Sequence, residues 1–266
     1  MRKKTISIAV CAIVSLALCI SIFLFGKSSS RVNAAEVEQK TLSWIEIISN
    51  IERKPSYQSA FPNPATYPDE FYEIYKIGYA AAPYLIQHII DNNMNNVDGA
   101  FIVMAAANNL HLNYLPGAIK PTDENPVYSN DEDAYTPVWY AKQLQKFAKE
   151  APEEINKICD SDIPMAEKML KLEEYGMLAV PILQEKMNSG DTQWSECVLN
   201  LSLSPLNEEE RFKLHVCGFE DEILYSSNRD ELIHQRKVEA LEGSSFNKRW
   251  FRDHADELAL MSQLFK

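Results

Sequence analysis

Along most of this chain, apolar residues recur at intervals of three and four, and prolines, glycines and Asn- or Asp-rich runs cut the pattern into short pieces. That spacing lines one face of an α-helix, whereas half-buried strands would alternate strictly. Residues 41–53 form the first amphipathic piece, with Leu42, Ile45, Ile48 and Ile51 as its stripe. Pro55, Pro62, Pro64 and Pro68 then forbid a continuing helix. A new helix starts at 68, where Asp69 and Glu70 sit in the first turn and suit the helix dipole. Leu85, Ile86, Ile89 and Ile90 make the inward stripe of the next helix, and the polar run 91–96 closes it. Residues 97–110 follow as a helix that is almost wholly apolar in its middle, so it must be covered on several sides.

Further on, the pattern predicts helices at 136–151 and 152–162, meeting at Pro152. A lead-in at 163–176 precedes a helix opened by Pro181 and bearing Ile182, Leu183 and Met187. Gly190 and Asp191 turn the chain, and Trp194, Cys197, Val198 and Leu201 return at helical spacing. Charged helices are expected at 205–218 and 228–243. A last helix over 244–265 has Trp250, Phe251, Leu258, Met261 and either Leu264 or Phe265 available to close the core.

One phrase occurs twice: Gly78-x-x-Ala81-x-Pro83-x-Leu85 has its counterpart in Gly176-x-x-Ala179-x-Pro181-x-Leu183. Glycine can take the left-handed conformation that ends one helix, and proline tolerates the first turn of the next. Small residues such as Ala80, Ala81 and Ala82 let the two helices approach closely. Antiparallel helix pairs with this corner, followed by a tail like Ala106-Ala107-Asn108-Asn109-Leu110, resemble HEAT-like repeats of the divergent bacterial type. Cys197-Val198-Leu199-Asn200-Leu201 matches that tail more loosely. The resemblance implies an all-α, irregular, right-handed α-solenoid-like stack of helix pairs, a form that presents extended binding surfaces. The two phrases stand farther apart than the ~40–47 residues of adjoining repeats. The irregular stretch 114–137 lies between them, with four prolines and a cluster of acids, and such loops are commonly functional.

The start of the chain adds a membrane element. Arg2, Lys3 and Lys4 precede residues 5–26, which contain no charged side chain. As a helix this run would cover roughly 33 Å, enough for a hydrocarbon core of about 30 Å. The basic leader places the rest of the chain outside the cytoplasm. Two readings stay open: an uncut anchor, or a signal peptide cleaved after the small-residue site Val32-Asn33-Ala34. The expected domains are therefore 1–26 as anchor or signal, 27–40 as polar tether, and 41–266 as an extracytoplasmic helical-repeat domain.

Charge narrows the choice of partner. Residues 1–34 hold five cations and no acid, so the chain total of −12 leaves −17 on the remainder. A surface that acidic repels nucleic acid and anionic lipid. No phosphate loop, zinc-protease motif, nucleophile elbow or Cys/His metal spacing is present, so no catalytic residue, metal or cofactor is assigned. Cys159, Cys197 and Cys217 read as buried thiols. His111 reads as a helix-terminal dipole partner. His254 is bracketed by Asp253 and Asp256, which do not share its helix face. Asp123, Glu124, Asp131, Glu132 and Asp133 lack the spacing of a calcium loop. Beside them Tyr135, Trp139 and Tyr140 offer rigid rings that either form a binding platform or pin the loop to the helices. Asp131, Asp133, Tyr135, Trp139 and Tyr140 are accordingly the candidate partner-binding residues. The expected role is a tethered or secreted scaffold for a protein partner. The alternatives are a cell-envelope hydrolase using the acidic loop or His254, and a purely structural envelope protein.

Overall fold

The computed structural model describes residues 33–50, 68–118, 130–204 and 246–265, together with His234 and Val238, both helical. Among these residues the protein is all-helical. Its helices are α1 (Ala34–Ser49), α2 (Pro68–Ile77), α3 (Ala81–Asp91), α4 (Val97–Asn109), α5 (Pro137–Asp160), α6 (Met165–Glu173), α7 (Val180–Asn188), α8 (Ser195–Ser202) and α9 (Phe246–Leu264). Single 3₁₀ turns at Gly176–Leu178 and Thr192–Trp194 introduce α7 and α8. The chain divides into Met1–Asn33 and Ala34–Lys266, and the elements above all belong to the second unit. The apolar run 5–26 lies outside the described residues, among which no helix is long and apolar enough to cross a membrane. The helices expected at 205–218 and 228–243 also lie outside them, apart from His234 and Val238.

The apolar helix α4 is the centre. Ala100, Phe101, Ile102, Val103, Ala105 and Ala106 are all buried, because α1, α2, α3 and α5 pack around them. Helix α3 folds back onto α4 with Leu85, Ile86 and Ile89 inward, and α7 does the same with α8. Trp194, at the end of its 3₁₀ turn, and Cys197, Val198 and Leu201 on α8 are buried as the spacing predicts. Helix α9 packs on both α3 and α7 and buries Trp250, Phe251, Leu258 and Met261. Of the two residues left open at its end, Phe265 packs on the core while Leu264 is exposed.

Both repeated corners place their glycine at positive φ. Gly78 has φ +93° and Gly176 φ +50°, and Pro83 and Pro181 sit in the first turns of α3 and α7. At the first corner the Asn109 amide, from the end of α4, donates to the carbonyls of Ile74 (3.1 Å) and Gly78 (2.8 Å). It thereby satisfies the Ile74 carbonyl, which the end of α2 leaves without a helical partner, while the Gly78 carbonyl also accepts the Ala81 N–H at 3.1 Å. The Glu257 carboxylate of α9 accepts the Tyr79 N–H just ahead of α3, where the positive helix end favours an anion. At the second corner the Met177 N–H donates to the Leu110 carbonyl at 2.8 Å, joining the two hairpins through their backbones.

Three expectations are corrected. Helix α1 starts at Ala34, so residues 34–40 are not tether: Val37 is buried, and Glu36 pairs with Lys40 one turn on, which holds the Glu36 carboxyl below its usual range. Its buried stripe is Val37, Thr41, Trp44, Ile45 and Ile48, with Leu42 turned outward. Spacing by three alone drifts off the 3.6-residue period, and Trp44 wins the inward place, its indole N–H donating to the Glu70 carbonyl at 2.7 Å. Finally, residues 137–160 form one helix through Pro152. That proline is on the solvent side, where helices lengthen their hydrogen bonds in any case.

Cys159 and Cys197 are buried free thiols, as read, while Cys217 lies outside the described residues. Burial pushes both up, Cys197 to about 12, with Cys159, Glu173 and Glu196 adding to the shift. The folded chain therefore keeps a proton that the unfolded chain releases near its ordinary value of 9.0. This contribution to stability is complete below pH 9 and is lost as pH climbs towards about 12. Cys197→Val should flatten the fall in urea midpoint between pH 8.5 and 11, relative to the parent chain, by about the effect of one such thiol. Gly176→Ala adds a Cβ that meets the Leu110 and His111 backbone in a left-handed conformation. It should cost about 2–4 kcal/mol in urea unfolding followed by circular dichroism. Gly190→Ala opens into free space and should cost about 1–2 kcal/mol, from backbone strain alone.

Candidate partner-binding surface

The loop entering α5 is built by short-range hydrogen bonds. Asp131 Oδ1 accepts the Asp133 N–H at 3.1 Å, and the Thr136 hydroxyl donates to the Asp133 carbonyl at 2.8 Å. Thr136 also caps α5 by accepting the Trp139 N–H at 3.2 Å, and Asn95 Oδ1 accepts the Val138 N–H at 3.1 Å. Tyr135 has φ +67°, a sharp turn just before the helix. Its ring reaches Trp139 (centroids 5.3 Å) and Tyr140 (6.3 Å), and those two meet edge-on at 5.0 Å. All three rings are half-buried, whereas Asp131 and Asp133 are exposed. Burial, with Tyr135 as a smaller influence, raises the Tyr140 hydroxyl above its ordinary value.

Trp139 also decides what lies beyond. Gly117, at φ +81°, passes so close under its six-membered ring that an added Cβ would lie 2.6 Å from Cη2. The ring thus pins the segment 113–118 to α5. Past this pin a groove of about 480 Å³ opens between that segment, α5 and α6. Tyr114, Leu115, Phe147 and Leu170 supply its apolar and aromatic walls, and Glu173 and Glu174 stand on its α6 side. Tyr114 is 48% exposed and Leu170 65%. Phe147 stacks on Tyr175 at 5.0 Å, which stiffens the wall. Burial first, then the carboxylates of Glu154 and Glu174, raise the Tyr175 hydroxyl.

Tyr135, Trp139 and Tyr140 therefore come together as one cluster, next along the chain to the turn that carries Asp131 and Asp133, and the contact of Trp139 with Gly117 agrees with the pin reading. The groove residues were not legible beforehand. Leu170 carried a usable signal: Met165, Met169 and Leu172 follow the helical stripe of α6, and Leu170 is out of phase with it. Asp123 and Glu124 lie outside the described residues. Among those described, no group of three or more His, Cys, Asp or Glu gathers as metal ligands would.

The other singled-out histidines have structural places. His111 is not a helix-end dipole partner. It follows α4 at φ +54°, is buried, and bonds Tyr75 Oη (3.0 Å) and the Leu201 carbonyl (2.9 Å). A carbonyl only accepts, so Nδ1 carries a proton and, in the neutral ring, Nε2 accepts from Tyr75. His111 thus ties α2 to α8 across the seam between the hairpins. His254 stacks on Trp250 (4.4 Å) with Nδ1 2.9 Å from the Trp250 carbonyl, and Asp253 pairs with Arg252. Compared with known proteins, the chain matches no family model, no curated protein and no solved structure.

If Trp139 pins the 113–118 segment, Gly117→Ala should lower stability by about 1–3 kcal/mol, from overpacking at a left-handed residue. Amide exchange should quicken at 113–118 and at the start of α5, with α8 unchanged. Hydrogen exchange with mass spectrometry reads both regions at once.

Proposed function

We propose that this protein is an extracytoplasmic helical scaffold, tethered through residues 1–26 or released by cleavage after Ala34, that holds a protein partner on its surface. The observation that carries this reading is the continuous strip from Asp131 and Asp133 through Tyr135, Trp139 and Gly117 to the groove with exposed Tyr114 and Leu170. Rigid rings and apolar side chains kept partly in water on a firmly packed frame are what a binding surface needs. In this reading the α3/α4 and α7/α8 hairpins are units of an irregular, right-handed HEAT-like stack. The positive φ at both Gly78 and Gly176 supports that kinship, and the interposed α5 and α6 account for the irregularity.

Residues 5–26 then cross the membrane, unless the signal is removed. Where the anchor is kept, residues 27–33 separate it from α1.

A photo-crosslinking residue at Tyr114 or Leu170 of the full chain, in intact cells, should give discrete adducts with a protein. The same residue at Ile47, exposed on α1, should give none. Protease added outside spheroplasts should digest these adducts while a cytoplasmic marker survives. Equal labelling from all three positions, or adducts sheltered from external protease, would overturn the proposal.

A further inference from the structure

The groove beside the 113–118 segment has a chemical bias that narrows the partner. Its lining combines Tyr114, Leu115, Pro116, Phe147 and Leu170 with the carboxylates of Glu173 and Glu174, and among the described residues it includes no Lys, Arg or His. The exposed carboxylates of Asp131 and Asp133 extend the same strip through Tyr135 and Trp139. Its volume falls within the range of clefts that hold small ligands, about 300–1,000 Å³. We infer that this groove takes a basic peptide segment of the partner, one that seats an apolar side chain against Leu170 and Phe147 while its Lys or Arg residues face Glu173, Glu174 and the Asp131–Asp133 turn. The inference rests on the scaffold reading above and specifies its ligand.

Charge complementarity selects this occupant over the others. A second copy of the chain would bring another −17 outside residues 1–34. Nucleic acid and anionic lipid headgroups are repelled for the same reason. The chain's own residues 119–129 leave from Ala118 at the groove, but they carry Asp123 and Glu124 against the single cation Lys120. A basic segment gains on approach from the acidic rim, and its apolar anchor gives up water in the groove.

The test uses the full chain in a non-ionic detergent, with empty micelles as the blank. The probe is a dye-labelled synthetic peptide alternating Lys with Leu and Phe, and its counterpart with Glu for Lys, both read by fluorescence anisotropy. The basic peptide should bind at least about tenfold tighter than the acidic one, and should weaken severalfold between about 50 and 300 mM salt. Leu170→Ser and Glu173→Lys should each weaken it about tenfold, with Ile47→Ser unchanged. All three positions are at least partly exposed, so circular dichroism should match the parent for each variant. Equal binding of both peptides, or of all variants, overturns the inference. So does a rise of about tenfold in affinity on deleting residues 119–129, since that segment would then be the resident occupant. If crosslinks at Leu170 still find a protein but the basic peptide does not bind, the ligand assignment falls and the scaffold reading stands. If neither is seen, both fall.

Discussion

The architecture depends on a close approach of two backbones. At the second corner the Met177 N–H donates to the Leu110 carbonyl, and Gly176 lies so near Leu110 and His111 that any side chain would collide with their backbone. A buried N–H and C=O left unpaired would each cost free energy, so this bond and this glycine stand or fall together. Next to it, His111 spans from the Tyr75 hydroxyl to the Leu201 carbonyl. The close contact of Gly176 with the Leu110–His111 backbone, with the His111 ring beside it, thus joins the chain's two repeated hairpins.

From that seam the rest of the frame follows. With the hairpins joined at one end, α5 packs along α3, α4 and α7, and α9 crosses from α3 to α7. Glu257 fastens α9 to the first corner by accepting the Tyr79 N–H. The long α5 consequently holds its first turn against the polar run after α3, where Asn95 caps it, and its middle against α6. The aromatic cluster at one end of α5 and the groove along its flank are products of that placement. Their stiffness comes from interlocked rings and a glycine under Trp139, and rigid contact area is what reduces the entropic cost of binding.

Much of the fold was legible in advance. The apolar middle of α4 demanded cover on several sides and has it, and the Gly–Pro phrase announced its corner at both places. The approach of Tyr135 to Trp139 was also visible, because residues four apart are neighbours along a helix. Other features were hidden for physical reasons. Leu42 and Trp44 compete for the inward side of α1, and the carbonyl of Glu70, well along the chain, settles which one turns in. Pro152 reads locally as a break, yet a helix packed along several partners can lose one solvent-side hydrogen bond and continue. The groove draws on residues 113–118, Phe147 and the Leu170–Glu174 end of α6, three segments whose proximity no local pattern encodes.

By itself the sequence determined the helices, their apolar faces and the two sharp corners, since periodicity and the permissiveness of glycine are properties of neighbouring residues. It determined the acidity of the chain as well. Tertiary structure alone decided that one corner glycine also carries the contact between hairpins, that His111 is a cross-brace, and that Tyr114 and Leu170 stay exposed beside two carboxylates. Those outcomes depend on which distant surfaces meet, and packing energy is shared among many residues rather than written in any one segment.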